Sequence, residues 1–135
     1  MATPDTSLGL NILLAEDNPV NQMVTGKLLE KLGCRHVVAN NGVECLERLK
    51  DDQFDLILMD CVMPEMDGLE ATRRIRASSG HCAEIPIIAL TANAMESDRQ
   101  TCLDAGMNDY ADKPIDMERM KQLLADWARK INPEP

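Results

Sequence analysis

DLILMDCVMP, residues 55–64, carries four strand-like apolar residues, Leu56, Ile57, Leu58 and Met59, straight into a carboxylate, Asp60, and then turns at Met63-Pro64. A buried strand has no need of that ending, because an ion at the end of an apolar run must be solvated or neutralised. A second apolar run, Ile12-Leu13-Leu14-Ala15, stops the same way at Glu16-Asp17. At least three acids therefore stand at strand ends.

Five apolar runs are strand candidates: residues 11–15, 35–39, 55–59, 86–91 and 109–112. Between them, residues 19–32, 42–50, 68–77 and about 97–105 read as helices. A last helix over 117–131 puts Met120, Leu123, Leu124, Trp127 and Ile131 at helical spacing. Gly33 and Gly106 stand where helices close with a C-cap, and Ser97 with Gln100 has the spacing of a capping box. Strict alternation of strand and helix implies parallel strands joined by right-handed crossovers, hence an α/β domain with its sheet covered on both faces. Ligands of such sheets bind beyond the carboxyl ends of the strands, where the strand order reverses. Glu16, Asp17 and Asp60 fall at that edge, Thr91 closes the fourth strand, and Lys113-Pro114 follows the fifth.

The length of 135 residues suits one core, expected over residues 10–131, with tails at 1–9 and 132–135. Aromatic residues make up only 2%, so the interior is expected to be aliphatic. A net charge of -9, uninterrupted by any basic run, argues against nucleic acid as a ligand. The five cysteines are odd in number and contain no CxxC pair, which favours neither a disulfide framework nor a structural zinc site and suits a reducing cytoplasm. No apolar run approaches the roughly 20 residues that cross a bilayer, so no membrane contact by this domain is expected.

Converging carboxylates repel, so such a cluster either holds a proton or takes up a cation. Magnesium fits best: it prefers oxygen ligands and commonly uses one or two carboxylates plus a phosphate. With Thr91 and Lys113 the group offers a carboxylate, a hydroxyl and an ammonium, which is what a phosphoryl group in transfer needs for positioning and charge neutralisation. Asp60 can then be the nucleophile, forming an acyl phosphate. For Asp60 alone a helix cap or solvated end would be the favoured account, but all five positions together make that hard to sustain. An aspartate-nucleophile phosphatase would need a second acid two residues after the nucleophile, and that position is Val62.

The motifs LLAEDNPVN, LILMDCVMPEMDG, IIALTANAM and GMNDYADKPI, in this order and spacing, resemble the receiver domain of two-component response regulators, most of all the receivers of hybrid sensor histidine kinases. The resemblance covers residues 10–131. It implies a doubly wound, flavodoxin-like three-layer sandwich with strand order 2-1-3-4-5, and a Mg2+-dependent phosphorelay. In that relay Asp60 takes a phosphoryl group from a phosphohistidine on a histidine kinase or histidine phosphotransfer domain. It further implies Asp17 as a direct metal ligand, Glu16 as one acting through water, and the backbone carbonyl of Val62 as the remaining protein ligand. Thr91 matches the hydroxyl that moves toward the phosphoryl group, Lys113 the lysine that pairs with it, and Tyr110 the aromatic whose rotamer tracks phosphorylation. The bland alternatives are Thr91 as a β-branched strand residue and Tyr110 as core filler.

In the first helix, helical spacing puts Asn21, Val24, Leu28 and Leu32 on the core face, Val20 on its flank and Met23 nearly opposite. Single exposed apolar residues are common. A pair beside the phosphorylation site, Val20 and Met23, is instead expected to dock a helix of the phosphohistidine partner.

Overall fold

The computed structural model describes residues 9–61, 66–78, 81–91, 96–112 and 115–131, with 81, 82 and 96–98 described in backbone only. Parallel strands β1 (Asn11–Ala15), β2 (Arg35–Ala39), β3 (Leu56–Asp60), β4 (Ile87–Thr91) and β5 (Asp109–Asp112) form one sheet in the order β2-β1-β3-β4-β5. They alternate with α1 (Pro19–Lys31), α2 (Gly42–Asp51), α3 (Gly68–Ala77), α4 (Glu96–Ala105) and α5 (Met117–Ile131).

Two apolar layers flank the sheet, because successive strand residues point to opposite faces. One gathers Ile12, Leu14, Leu56, Leu58, Ile88 and Leu90 with Leu29 of α1 and Met120, Leu123 and Leu124 of α5. The other gathers Leu13, Ile57, Met59, Ile87 and Ala89 with Cys45, Ala71, Ile75 and Cys102 from α2, α3 and α4. β3 lies between β1 and β4 and is buried at all five positions, which is why its sequence reads as an unbroken apolar run. The face expected of α5 is the one it uses: Met120, Leu123 and Leu124 are buried, with Trp127 and Ile131 packed at the margin.

Four expectations need correction. β4 begins at Ile87, one residue later than expected, after Pro86, whose carbonyl accepts the Ile57 N–H at 2.9 Å. β3 spans Leu56–Asp60, one residue later than expected, because Asp55 is engaged before the strand begins. Its carboxylate accepts the Asn11 N–H at 2.8 Å, and its own N–H donates to the Asn11 carbonyl. Asp60 is thus the last residue of the strand, not a residue beyond it. α4 begins at Glu96, so Ser97 stands inside the first turn and not at the N-cap. On α1 Leu28 and Leu32 pack into the core as expected, but the helix also buries Thr25, Gly26 and Leu29, while Val24 is 49% exposed. Gly26 explains that rotation. A Cβ there would lie 2.7 Å from Nε2 of His36, so the helix meets β2 over its glycine and small residues.

Gly33 and Gly106 do close their helices with positive φ, 77° and 113°. The tails expected at 1–9 and 132–135 fall, except for Gly9, outside the described residues. Among the described residues, no helix is long and apolar enough to cross a membrane.

Candidate functional site

With strand order 2-1-3-4-5 the chain leaves β1 to one side for β2 and returns to the other side for β3, so the order reverses between β1 and β3. The carboxyl ends of those two strands carry Glu16, Asp17 and Asp60. Each offers a carboxylate oxygen, and the three oxygens lie within 4.8 Å of one another. Glu16 is 2% exposed and Asp60 6%, while Asp17 faces solvent. Two ionised carboxylates at that separation repel by about 3 kcal/mol at an effective dielectric of about 20. That is a substantial fraction of the stability of a small domain. A cation between them removes the repulsion, and an all-oxygen donor set with one open side suits a hard divalent ion.

The backbone around the cluster is tied down. Glu16 N–H donates to the Ala39 carbonyl at 2.9 Å, and the Asn18 N–H donates to Glu16 Oε2 at 3.2 Å. Asn18 also caps α1, accepting from the N–H groups of Val20 and Asn21, with Pro19 at the first helical position. Gln22, one turn into α1, reaches back to the Glu16 carbonyl and to Asn40 Oδ1. Beyond Asp60, the Cys61 N–H continues the ladder to the Leu90 carbonyl, and the Cys61 carbonyl accepts the Gly68 N–H at 3.1 Å. Gly42 N–H holds the carbonyl of Met66. Both described ends of the segment joining β3 to α3 are therefore anchored beside the acids, and Asp67 caps α3 by accepting the Glu70 N–H.

Asp60 pairs with Leu90 across the β3–β4 ladder, so Thr91 closes β4 one residue further along the same edge, and it pairs in turn with Asp112 on β5. Tyr110 on β5 is half-buried against the apolar layer that contains Met59 and Ala89. The guanidinium of Arg99 on α4 sits 4.6 Å from its ring centroid, a cation–π contact that joins α4 to β5. Lys113 and Val62 lie outside the described residues. Val20 and Met23 are 63% and 57% exposed, and Val24 extends them into a three-residue apolar patch on the outer side of α1.

Burial, the neighbouring Cys102, and the charges of Asp60 and Asp67 push the Cys61 thiol well above the usual cysteine range. Sequence reasoning missed Asn18, Gln22 and Cys102. The Asn-Pro pair at 18–19 is an N-cap signal that could have revealed the first. Nothing local marks the other two.

The family model described as the response regulator receiver domain matches residues 12–125. Hybrid signal transduction histidine kinase B of Dictyostelium discoideum is 50% identical over 115 residues, covering 77% of this chain and 6% of that protein. The signal transduction histidine-protein kinase BarA of Escherichia coli K12 is 40% identical over 139 aligned positions, covering 98% of this chain and 15% of that protein. The chain thus spans a small fraction of the length of these relatives. A solved receiver domain of a sensor histidine kinase from Pseudomonas aeruginosa, with a magnesium ion coordinated in its active-site cleft, superposes with a TM-score of 0.82 at 46% identity. The match covers 89% of this chain and 98% of that one. A co-crystal structure from Saccharomyces cerevisiae, of the histidine phosphotransfer protein Ypd1 with the receiver domain of its downstream response regulator Ssk1, gives 0.83 at 29% identity over 93% of this chain and 94% of that one. From its strand order, its cluster of acids at the point where that order reverses, and these likenesses, the chain belongs to the response regulator receiver domain family.

Proposed function

We propose that the chain is the phosphoacceptor of a phosphorelay: Asp60 accepts a phosphoryl group from a phosphohistidine on a histidine kinase or a histidine phosphotransfer domain. The observation that carries this is the convergence of Glu16, Asp17 and Asp60 within 4.8 Å at the carboxyl edge of the sheet. A carboxylate oxygen of Asp60 forms the new O–P bond as the N–P bond of the donor breaks, and the donor imidazole keeps the electron pair of that bond. Asp17 and Asp60 would hold magnesium directly, with Glu16 acting through water and the carbonyl of Val62 completing the protein ligands. When bound, the ion neutralises phosphoryl oxygens. Lys113 pairs with one of those oxygens, and Thr91 donates its hydroxyl to another.

Withdrawal of Thr91 toward the phosphoryl group would leave space behind β4 for Tyr110 to turn inward. That turn has to break the Arg99 contact, so α4 would feel the change. The patch of Val20 and Met23, extended by Val24, would dock the partner's helix beside the site. The domain would work in the cytoplasm, a reducing compartment that suits its free cysteines. The parent protein, by its likeness to hybrid kinases, would be a hybrid histidine kinase.

The test is to incubate the chain with a small phosphodonor, with and without magnesium, and to map the modified residue by mass spectrometry. Magnesium-dependent labelling at Asp60 is expected. Labelling at another residue, or full labelling without the ion, would overturn the mechanism.

A further inference from the structure

Cys61 is half-buried next to Asp60, and Cys102 is 3% exposed on the inner face of α4. Their sulfurs stand 3.4 Å apart although 41 residues separate them in the chain. A disulfide holds its sulfurs at about 2.05 Å, so closing this pair takes roughly 1.4 Å of movement, shared between two side chains. Packing alone would be served by any two small apolar residues. This pair combines one half-buried cysteine, one buried cysteine in contact with it, and a position just after β3. We propose that Cys61 and Cys102 form a reversible dithiol–disulfide site, oxidised by a hydroperoxide, that tethers α4 to β3 beside the acidic cluster.

Cys61, the more accessible of the two cysteines, attacks one oxygen of hydrogen peroxide and its proton passes to the departing oxygen, a slow step because burial and the neighbouring acids hold that proton on the sulfur. The O–O bond breaks, Cys61 becomes a sulfenic acid, and the departing oxygen leaves as water. The sulfur of Cys102 then displaces the hydroxyl from Cys61. The S–S bond forms, and the hydroxyl leaves as a second water with the Cys102 proton. The two thiols together lose two electrons, and the peroxide gains them. A small thiol reverses the bond by exchange.

The test treats the whole chain with hydrogen peroxide, alkylates the remaining thiols and maps unreduced peptides by mass spectrometry. Expected are one cross-linked peptide pair joining Cys61 to Cys102, an intact mass lower by two hydrogens, reversal by dithiothreitol, and no such pair in Cys61→Ser or Cys102→Ser. Cross-links through other cysteines, cross-links between chains, or Cys61 oxidised to sulfinic acid with Cys102 still alkylated would each overturn the proposal. If Cys102→Ser does not fold, the map of the unaltered chain and of Cys61→Ser decides alone. A second arm rests on the phosphoacceptor function. Because the tether pulls on the residue after Asp60, the oxidised chain should be labelled by a small phosphodonor at least about tenfold more slowly, since misplacing reacting groups by an ångström can cost 10²-fold. Dithiothreitol should restore the rate, and the labelling rate of Cys61→Ser should be the same with and without peroxide. Equal labelling with a mapped Cys61–Cys102 bond would refute the tether's effect on the site, whereas absence of labelling in the reduced chain would count against the phosphoacceptor function instead.

Discussion

Replacing Gly68 with alanine would put a methyl carbon 2.3 Å from the carbonyl oxygen of Asp60, 2.8 Å from Cγ of Met59 and 3.1 Å from the carbonyl carbon of Asp60. Non-bonded atoms settle near 3.5 Å, so the first of these contacts needs about 1 Å of relief. The obstacle is backbone in a strand paired on both sides, which cannot turn aside as a flexible side chain would. The start of α3 must therefore move away, stretching the Gly68 N–H bond to the Cys61 carbonyl, or the end of β3 must move and carry Asp60 with it. Overpacking costs about 1–3 kcal/mol, and a clash with paired backbone belongs at the upper end of that range. At roughly 3–4 °C per kcal/mol for a domain of this size, Tm should fall by about 10 °C. A shift of Asp60 approaching 1 Å should slow labelling by a small phosphodonor about 10²-fold. Urea denaturation and a labelling time course on Gly68→Ala measure the two effects. A variant with its stability within about 0.5 kcal/mol of the parent and an unchanged labelling rate would show that α3 does not press on Asp60, and the close approach would have no consequence.

Asp17→Asn removes one charge from the repelling cluster, so the metal-free chain should melt at a higher temperature while the rise in Tm on adding magnesium shrinks; the opposite pair of changes would mean the acids do not share an ion. Met23→Glu should slow transfer from the phosphohistidine partner and leave a small phosphodonor fully effective, since Met23 is exposed and holds no part of the core; equal loss with both donors would remove the docking role. Glu44 accepts the Asn40 N–H at 2.9 Å and its side-chain amide at 3.0 Å, and these bonds hold its carboxyl below the ordinary value of 4.5. A lowered folded-state value contributes stability that is present above the ordinary value and lost as pH falls through the folded one. The acid limb of the stability curve should therefore flatten in Glu44→Gln, by a small amount because the group is exposed and screened; an identical acid limb in urea titrations would contradict it.

The strands were legible because their signals are local. β1, β2 and β5 fall on the expected residues, and the limits of α3 and α5 do as well, since apolar runs, Asn-Pro and Asp-Gly junctions and the closing glycines act over a few positions. The acidic cluster was legible for a related reason. Once alternation dictates a parallel sheet, every strand's carboxyl end lies on one edge, so acids at the ends of β1 and β3 must meet there. The buried face of α1 was legible only in part: Leu28 and Leu32 pack into the core as expected, but Val24 does not. Its apolar residues are spread around the axis, and the choice was made by Gly26 against His36 and by Thr25, small residues that periodicity does not weigh.

The sequence by itself thus determined which residues become strands and which acids share an edge, because both follow from backbone geometry repeated at short range. Only the tertiary structure decided how α1 is turned, how closely Gly68 presses on Asp60, and that Cys61 and Cys102 touch. Those contacts join residues from separate elements, and their distances depend on how helices seat on the sheet, a matter of side-chain volumes summed across the whole interior.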